Sequence, residues 1–135
     1  MLPTVRTFMD TDTHALAEGD NIYEAVRELI DSGVTGAPVV DDRGKLVGML
    51  SEYECLRLLT QGNADGVRPG GSDTVAAFML REFKTVTPDM DVYFVAGLFL
   101  SDPGNRRLAV VEGDRLVAVI TRKDILRAVE PRLRR

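Results

Sequence analysis

The chain repeats itself, which limits it to folds that build one supersecondary unit twice. Lys45-Leu46-Val47-Gly48-Met49-Leu50-Ser51 and Glu52-Tyr53-Glu54-Cys55-Leu56-Arg57 match Arg115-Leu116-Val117-Ala118-Val119-Ile120-Thr121 and Arg122-Lys123-Asp124-Ile125-Leu126-Arg127 at an offset of 70. Pro38-Val39-Val40-Asp41 matches Ala109-Val110-Val111-Glu112 at an offset of 71, and Asp20 and Ala25 match Asp91 and Ala96 at that same offset. Phe8-Met9 corresponds to Phe78-Met79 after a one-residue gap. The chain is a tandem duplication.

Each copy reads as β-α-β-β-α, an α/β fold. In the first, a strand over Thr13–Leu16 precedes a helix with Asp20 as N-cap. Ile22, Ala25, Val26, Leu29 and Ile30 recur there at helical spacing until Gly33 stops the helix. A short strand follows at Ala37–Val40. Asp41-Asp42-Arg43-Gly44 has hairpin chemistry, and Leu46–Leu50 is a second apolar strand. From Ser51 the pattern is helical, with Leu56 and Leu59 inward. The second copy predicts strands at Lys84–Thr87, Leu108–Val111 and Leu116–Ile120, a turn at Gly113-Asp114, and helices from Asp91 to Ser101 and from Thr121. Gln61–Asp73, rich in Gly, Asn, Asp and Pro, reads as a linker, and a helix over Asp73–Leu80 leads into copy two. The expected division is residues 1–62, a linker at 63–72, residues 73–130 and a basic tail at 131–135.

Composition sets outer bounds. The chain has 135 residues, 44% hydrophobic and 28% charged, enough for a real core and too apolar for disorder. Apolar runs such as Leu116–Ile120 are too short to span a membrane. Met1-Leu2-Pro3-Thr4-Val5-Arg6 has no signal-peptide pattern. The single Cys55 excludes an internal disulfide and fits a reducing compartment, so a cytoplasmic location is expected. Residues 1–70 carry 6 Lys and Arg against 12 Asp and Glu, and residues 71–135 carry 11 against 9. The second half is therefore the one able to face a small anion.

Gly36-Ala37-Pro38-Val39-Val40-Asp41, followed by Leu46-Val47-Gly48-Met49-Leu50-Ser51 and Glu54, resembles the cystathionine-β-synthase (CBS) domain. So does its partner, Arg107-Leu108-Ala109-Val110-Val111 with Leu116 through Thr121 and Asp124. Two copies in tandem resemble the CBS pair, or Bateman module, over about Val5 to Val129, here of a stand-alone bacterial type. The resemblance implies two repeats related by a pseudo-twofold axis. It also implies an adenosine-containing ligand (AMP, ADP or ATP, with S-adenosylmethionine second) in the cleft between repeats, pairing into homodimers, and a regulatory output on an effector protein in trans. It implies no enzymatic activity and no required cofactor.

The same resemblance assigns the site. Thr121 and Asp124 match the hydroxyl and carboxylate that contact phosphate and ribose, and one carboxylate can accept from both hydroxyls of a ribose diol. The helix N-terminus at Thr121 suits phosphate, with Arg122, Lys123 and Arg107 within reach. Adenine would lie among Val86, Leu108 and Ala109 with Thr85 at the edge. Thr-x-x-Asp is equally a helix cap that needs no ligand, and both readings stand for Thr121 and Asp124. Ser51 and Glu54 read first as a capping box. With His14, Ala37 and Pro38 they make a weaker second site, where Glu52 and Tyr53 replace the basic pair. Ala118, in place of Gly48, is expected to narrow the cleft of copy two.

Other chemistry finds little support. His14 is the only histidine; it aligns with Thr85 and reads as a solvated strand-end residue. No metal-ligand spacing occurs. Cys55 aligns with Ile125 and reads as a small buried hydrophobe. Gly70-Gly71-Ser72 lacks the following Lys of a P-loop. The basic tail could meet nucleic acid, but a frayed helix end explains it more simply. The competing function is a ligand-free pair serving oligomerisation or docking.

Overall fold

The computed structural model describes residues 2–61 and 73–133. The predicted linker at 63–72 lies outside the described residues, as do Arg134 and Arg135 of the predicted tail. The elements are α1 (Val5–Phe8), β1 (Leu16–Ala17), α2 (Ile22–Ser32), β2 (Gly36–Val40), β3 (Leu46–Ser51) and α3 (Glu52–Gln61). The second series is α4 (Val75–Phe78), β4 (Thr85–Val86), α5 (Val92–Ser101), β5 (Arg107–Glu112), β6 (Arg115–Thr121) and α6 (Arg122–Leu133). They form two three-stranded sheets, β1-β2-β3 and β4-β5-β6, each with a parallel then an antiparallel pair.

Packing does not follow the sequence halves. One compact unit is Met1–Thr13 with Lys84–Arg135, and the other is His14–Phe83. The segment that leads each copy is built into the unit of the other. In the first unit Val5 N–H donates to Met90 O at 2.9 Å, Arg6 N–H to Pro88 O at 3.0 Å and Val92 N–H to Pro3 O at 3.0 Å. In the second unit Val75 donates to Asp20 O, Ala76 to Glu18 O and Ile22 to Asp73 O, the same three bonds. The leading segment then runs along the edge of the third strand. Asp10 exchanges two backbone bonds with Val119 at 2.8 and 2.9 Å, and Leu80 exchanges two with Met49 at 2.8 and 3.0 Å.

These bonds fix the true register of the repeat. Asn21, not Asp20, caps α2, its side chain accepting from Tyr23 N–H and Glu24 N–H, just as Asp91 caps α5. The offset is therefore 70 through the helices, and the extra residue of copy two falls in the loop between α5 and β5. Asp20 instead accepts from Ala17 N–H within the preceding turn. The predicted first strands shorten to two residues each, and the helix expected over Asp73–Leu80 is the four-residue α4. Gly33 ends α2 at φ 72°, as its freedom from a Cβ allows.

Each unit has its own core. One gathers Val5, Val86, Val92, Val95, Leu108, Val110, Ala118 and Ile120; the other gathers Leu16, Ile22, Ala25, Val39, Leu50, Val75 and Phe78. Two expected core residues are not in it: Ile30 is 73% exposed and Leu56 60% exposed. The helical period holds, but the apolar stripe is wider than the face the sheet covers.

Ala118 does not narrow any cleft. It is fully buried in the core. A Cβ on its counterpart Gly48 would meet Met79 Sδ at 2.4 Å and Leu80 O at 3.0 Å. Gly48→Ala is expected to cost about 1–3 kcal/mol through overpacking beneath α4. Urea unfolding should show this as a lower midpoint with an unchanged slope.

Candidate functional site

β5 and β6 alternate two faces, and that alternation sorts the candidate residues. Leu108, Val110, Ala118 and Ile120 turn to the core, together with Val86 of β4. On the opposite face, Arg107 stands across from Thr121, Ala109 across from Val119, and Thr85 beside Ala109. So Thr85, Arg107, Ala109 and Thr121 come together, with Asp124 one helical turn on. Val86 and Leu108 sit on the far side of the sheet.

Thr121 and Asp124 form a reciprocal cap. The Asp124 Oδ2 accepts from Thr121 N–H at 2.9 Å and from Thr121 Oγ1–H at 3.0 Å, and Asp124 N–H donates to Thr121 Oγ1 at 3.3 Å. Asp124 Oδ1 accepts from Arg127 Nη2 at 2.6 Å. The Asp124 side chain is only 12% exposed, so the carboxylate is held rigidly. Each of its oxygens retains acceptor capacity beyond these bonds.

Arg107, half-buried, is the cation of this face that stands across from Thr121. Its Nη2 donates to Thr13 O at 3.4 Å, and its buried Nε has no hydrogen-bond partner. Burial lowers its pKa, opposed by Asp10, Asp124 and Asp12, which lie within electrostatic reach. Arg122 turns elsewhere: its guanidinium binds the carbonyls of Pro103 and Asn105 and ties down the loop after α5. Lys123 is exposed at the start of α6.

The first repeat assembles a poorer version. Gly36 occupies the place of Arg107, opposite Ser51, and Pro38 that of Ala109. Glu54 Oε1 accepts from Ser51 N–H at 2.9 Å and Ser51 Oγ–H at 2.5 Å, and Glu54 is 5% exposed. Ala37 faces the core. His14 is half-buried at φ 52°. Leu16 pairs with Val39 as Val86 pairs with Val110, so the register gives Ala15, not His14, the place of Thr85. Three site elements lay outside the sequence reading: Asp10, Asp12 and Arg127. The Asp124-x-x-Arg127 spacing could have revealed the last as a helical i,i+3 pair. Nothing in the repeat pointed to the aspartates, because Leu80 stands where Asp10 does.

The CBS-domain family description matches residues 5–61 and 75–131. The chain belongs to the CBS-domain family. As a CBS pair it is similar in structure to CBSX2, a protein of Arabidopsis thaliana, in complex with AMP. That match has a TM-score of 0.82 and 28% identity over 97% of this chain and 98% of the other. It is also similar to the CBS pair of MJ0100 in complex with 5′-methylthioadenosine and S-adenosyl-L-methionine. There the TM-score is 0.79, with 25% identity over 98% and 99%. Among curated relatives it is 35% identical over 126 residues to an A-adding tRNA nucleotidyltransferase of Aquifex aeolicus, of which it spans 14%. It is 30% identical to the chloroplastic CBSX1 of Arabidopsis thaliana and spans 63% of it. The CBS pair is thus less than two thirds of the length of these relatives.

No three His, Cys, Asp or Glu side chains among the described residues gather to hold a metal ion, and no described helix is long and apolar enough to cross a membrane. In the unit of residues 14–83, α2 and α3 flank an apolar groove of about 650 Å³ lined by Tyr23, Val26, Ile30, Cys55 and Leu56. Burial, then Glu54 and Glu52, push the Cys55 thiol from 9.0 up to about 11. Cys55 is therefore expected to alkylate about a hundredfold more slowly at pH 8 than an unperturbed thiol, because only the thiolate reacts. Iodoacetamide kinetics should climb with pH without a plateau below the raised value. A plateau near pH 9 would contradict the burial assigned to this side chain.

Proposed function

We propose that the chain is a regulatory module that binds an adenosine-containing ligand at the Thr121–Asp124–Arg107 face and acts in trans on a partner protein. The observation that carries this is the unpaired, buried Arg107 Nε beside a rigid Thr–Asp cap. A buried donor without an acceptor costs about 1–3 kcal/mol. A ligand oxygen or ring nitrogen would recover that loss once the guanidinium turns Nε toward it. The AMP held by CBSX2 and the adenosyl compounds held by MJ0100 support the same ligand class here. Ser51 and Glu54, with Gly36 in place of an arginine, make the first repeat the weaker or empty site.

The test is thermal unfolding with and without AMP, 5′-methylthioadenosine or ATP. At a hundred times the dissociation constant, binding should add about 2.7 kcal/mol to stability. Thr121→Val and Asp124→Asn should abolish the shift, the latter while keeping an acceptor for the helix cap. No shift with any ligand, from a folded protein, favours the second reading. That reading, a ligand-free docking module, draws on the fact that both Asp124 oxygens already accept bonds from the protein itself.

We also infer that the module pairs with a second copy through its helices. Tyr53, Leu56 and Ile30 are 60–73% exposed in one unit, and Phe94, Leu100 and Leu126 are 55–81% exposed in the other. Large apolar side chains left this exposed on the helices of each unit support an interface. Light scattering should report twice the 14.9 kDa chain mass, and Leu56→Glu combined with Leu100→Glu should return it to a single chain.

A further inference from the structure

We propose that Arg127 is a positioning residue that makes the Asp124 face selective for ribose over deoxyribose, by fixing the carboxylate oxygen that the sugar would meet. The proposal rests on the adenosine reading above and narrows it to the sugar.

The Asp124 carboxylate divides its bonds between its two oxygens. Oδ2 serves the helix cap, accepting from Thr121 N–H at 2.9 Å and from Thr121 Oγ1–H at 3.0 Å. Oδ1 accepts from Arg127 Nη2 at 2.6 Å. The terminal torsion of an aspartate is broad and roughly two-fold, so a carboxylate held at one oxygen keeps some freedom to tilt. Held at both, it presents a single orientation. The Asp124 side chain is 12% exposed and that of Arg127 60% exposed, so a largely solvated arginine steadies a largely buried acid. A carboxylate oxygen accepts more than one hydrogen bond, so Oδ1 can keep Arg127 and take a sugar hydroxyl as well. A binding group held in this way by its own supporting bond discriminates between ligands more sharply than a loose one.

The first repeat supplies the contrast. Glu54 accepts both Ser51 bonds on one oxygen, Oε1, at 2.9 and 2.5 Å. Arg57 follows Glu54 by three residues, as Arg127 follows Asp124, but its guanidinium lies 5.9 Å from the centroid of the Phe78 ring. The spacing alone does not produce the pairing. In the second repeat the pairing is one N–H on one oxygen, which a lysine can reproduce and a methionine cannot. An ion pair at this spacing on a helix surface adds little to stability, so Arg127→Met is expected to fold and to melt close to the unmodified chain.

The experiment is calorimetric titration of the full chain with AMP and with 5′-methylthioadenosine, each beside its 2′-deoxy and 3′-deoxy counterparts. For whichever ribose compound binds more tightly, at least one deoxy form should bind about tenfold or more weakly, the loss of one hydrogen bond to a charged group. In Arg127→Met that ratio should fall to about threefold or less, and in Arg127→Lys it should return to within about twofold of its original value. Melting curves without ligand establish that both variants are folded. A helix-surface role alone would move the melting curves, or weaken every compound alike, and leave the ratio where it was. Three results overturn the positioning role and leave the adenosine reading standing: no discrimination in the unmodified chain, a ratio unmoved or raised in folded Arg127→Met, or a lysine variant that behaves as the methionine one does. Failure of both AMP and 5′-methylthioadenosine to bind overturns the adenosine reading and this proposal with it.

Discussion

The backbone exchange between Asp10 and Val119, and its twin between Leu80 and Met49, is the constraint on which both units depend. An unpaired edge on β6 or β3 would leave a row of amide groups open to other chains. The chain covers each edge with the segment that begins the other repeat. The same segments supply Val5 and Val75, which are fully buried, so the sheet edge and the hydrophobic core are closed by one piece of chain. Burying a valine of this kind contributes about 1.5–3 kcal/mol, comparable to a large fraction of a small domain's net stability.

The difference between the two halves follows from what that piece carries. Beside Met49 it brings Leu80, which has no charge. Beside Val119 it brings Asp10, and just beyond it Asp12 and the carbonyl of Thr13 that receives Arg107. Across the sheet, the first repeat has Gly36 where the second has Arg107. The scaffold is duplicated to within one residue of register, while the polar groups on the corresponding face are not. Both halves keep a satisfied helix cap, and the second alone sets an arginine across the sheet from it.

Much of the fold was legible because duplication doubles every weak signal. Strands and hairpin turns each had a counterpart 70 or 71 residues away. What could not be read was the exchange of leading segments, since hydrogen bonds between residues 5 and 90 leave no local pattern. The same blindness set Asp20 in place of Asn21 as the cap and shifted His14 by one position. Thr121 and Asp124 were legible as a capping pattern with a functional double reading. Arg122 was misdirected by charge alone: a guanidinium at a helix start finds nearby carbonyls as readily as phosphate. Val86, Leu108 and Ala37 were drawn toward the site because apolar strands buried on both faces lose the alternation that would separate them.

The traded segments also bear on how such a chain could arise and fold. A single ancestral repeat would have had no second repeat of its own to lend it a leading segment, and could have completed its sheet only by taking one from another molecule. Joining two repeats turns that borrowing between molecules into an event within one chain. A short tether replaces bulk concentration with a local one on the order of millimolar. The gene duplication would then have worked as a concentration device, making permanent an embrace that two separate repeats could hold only when crowded together.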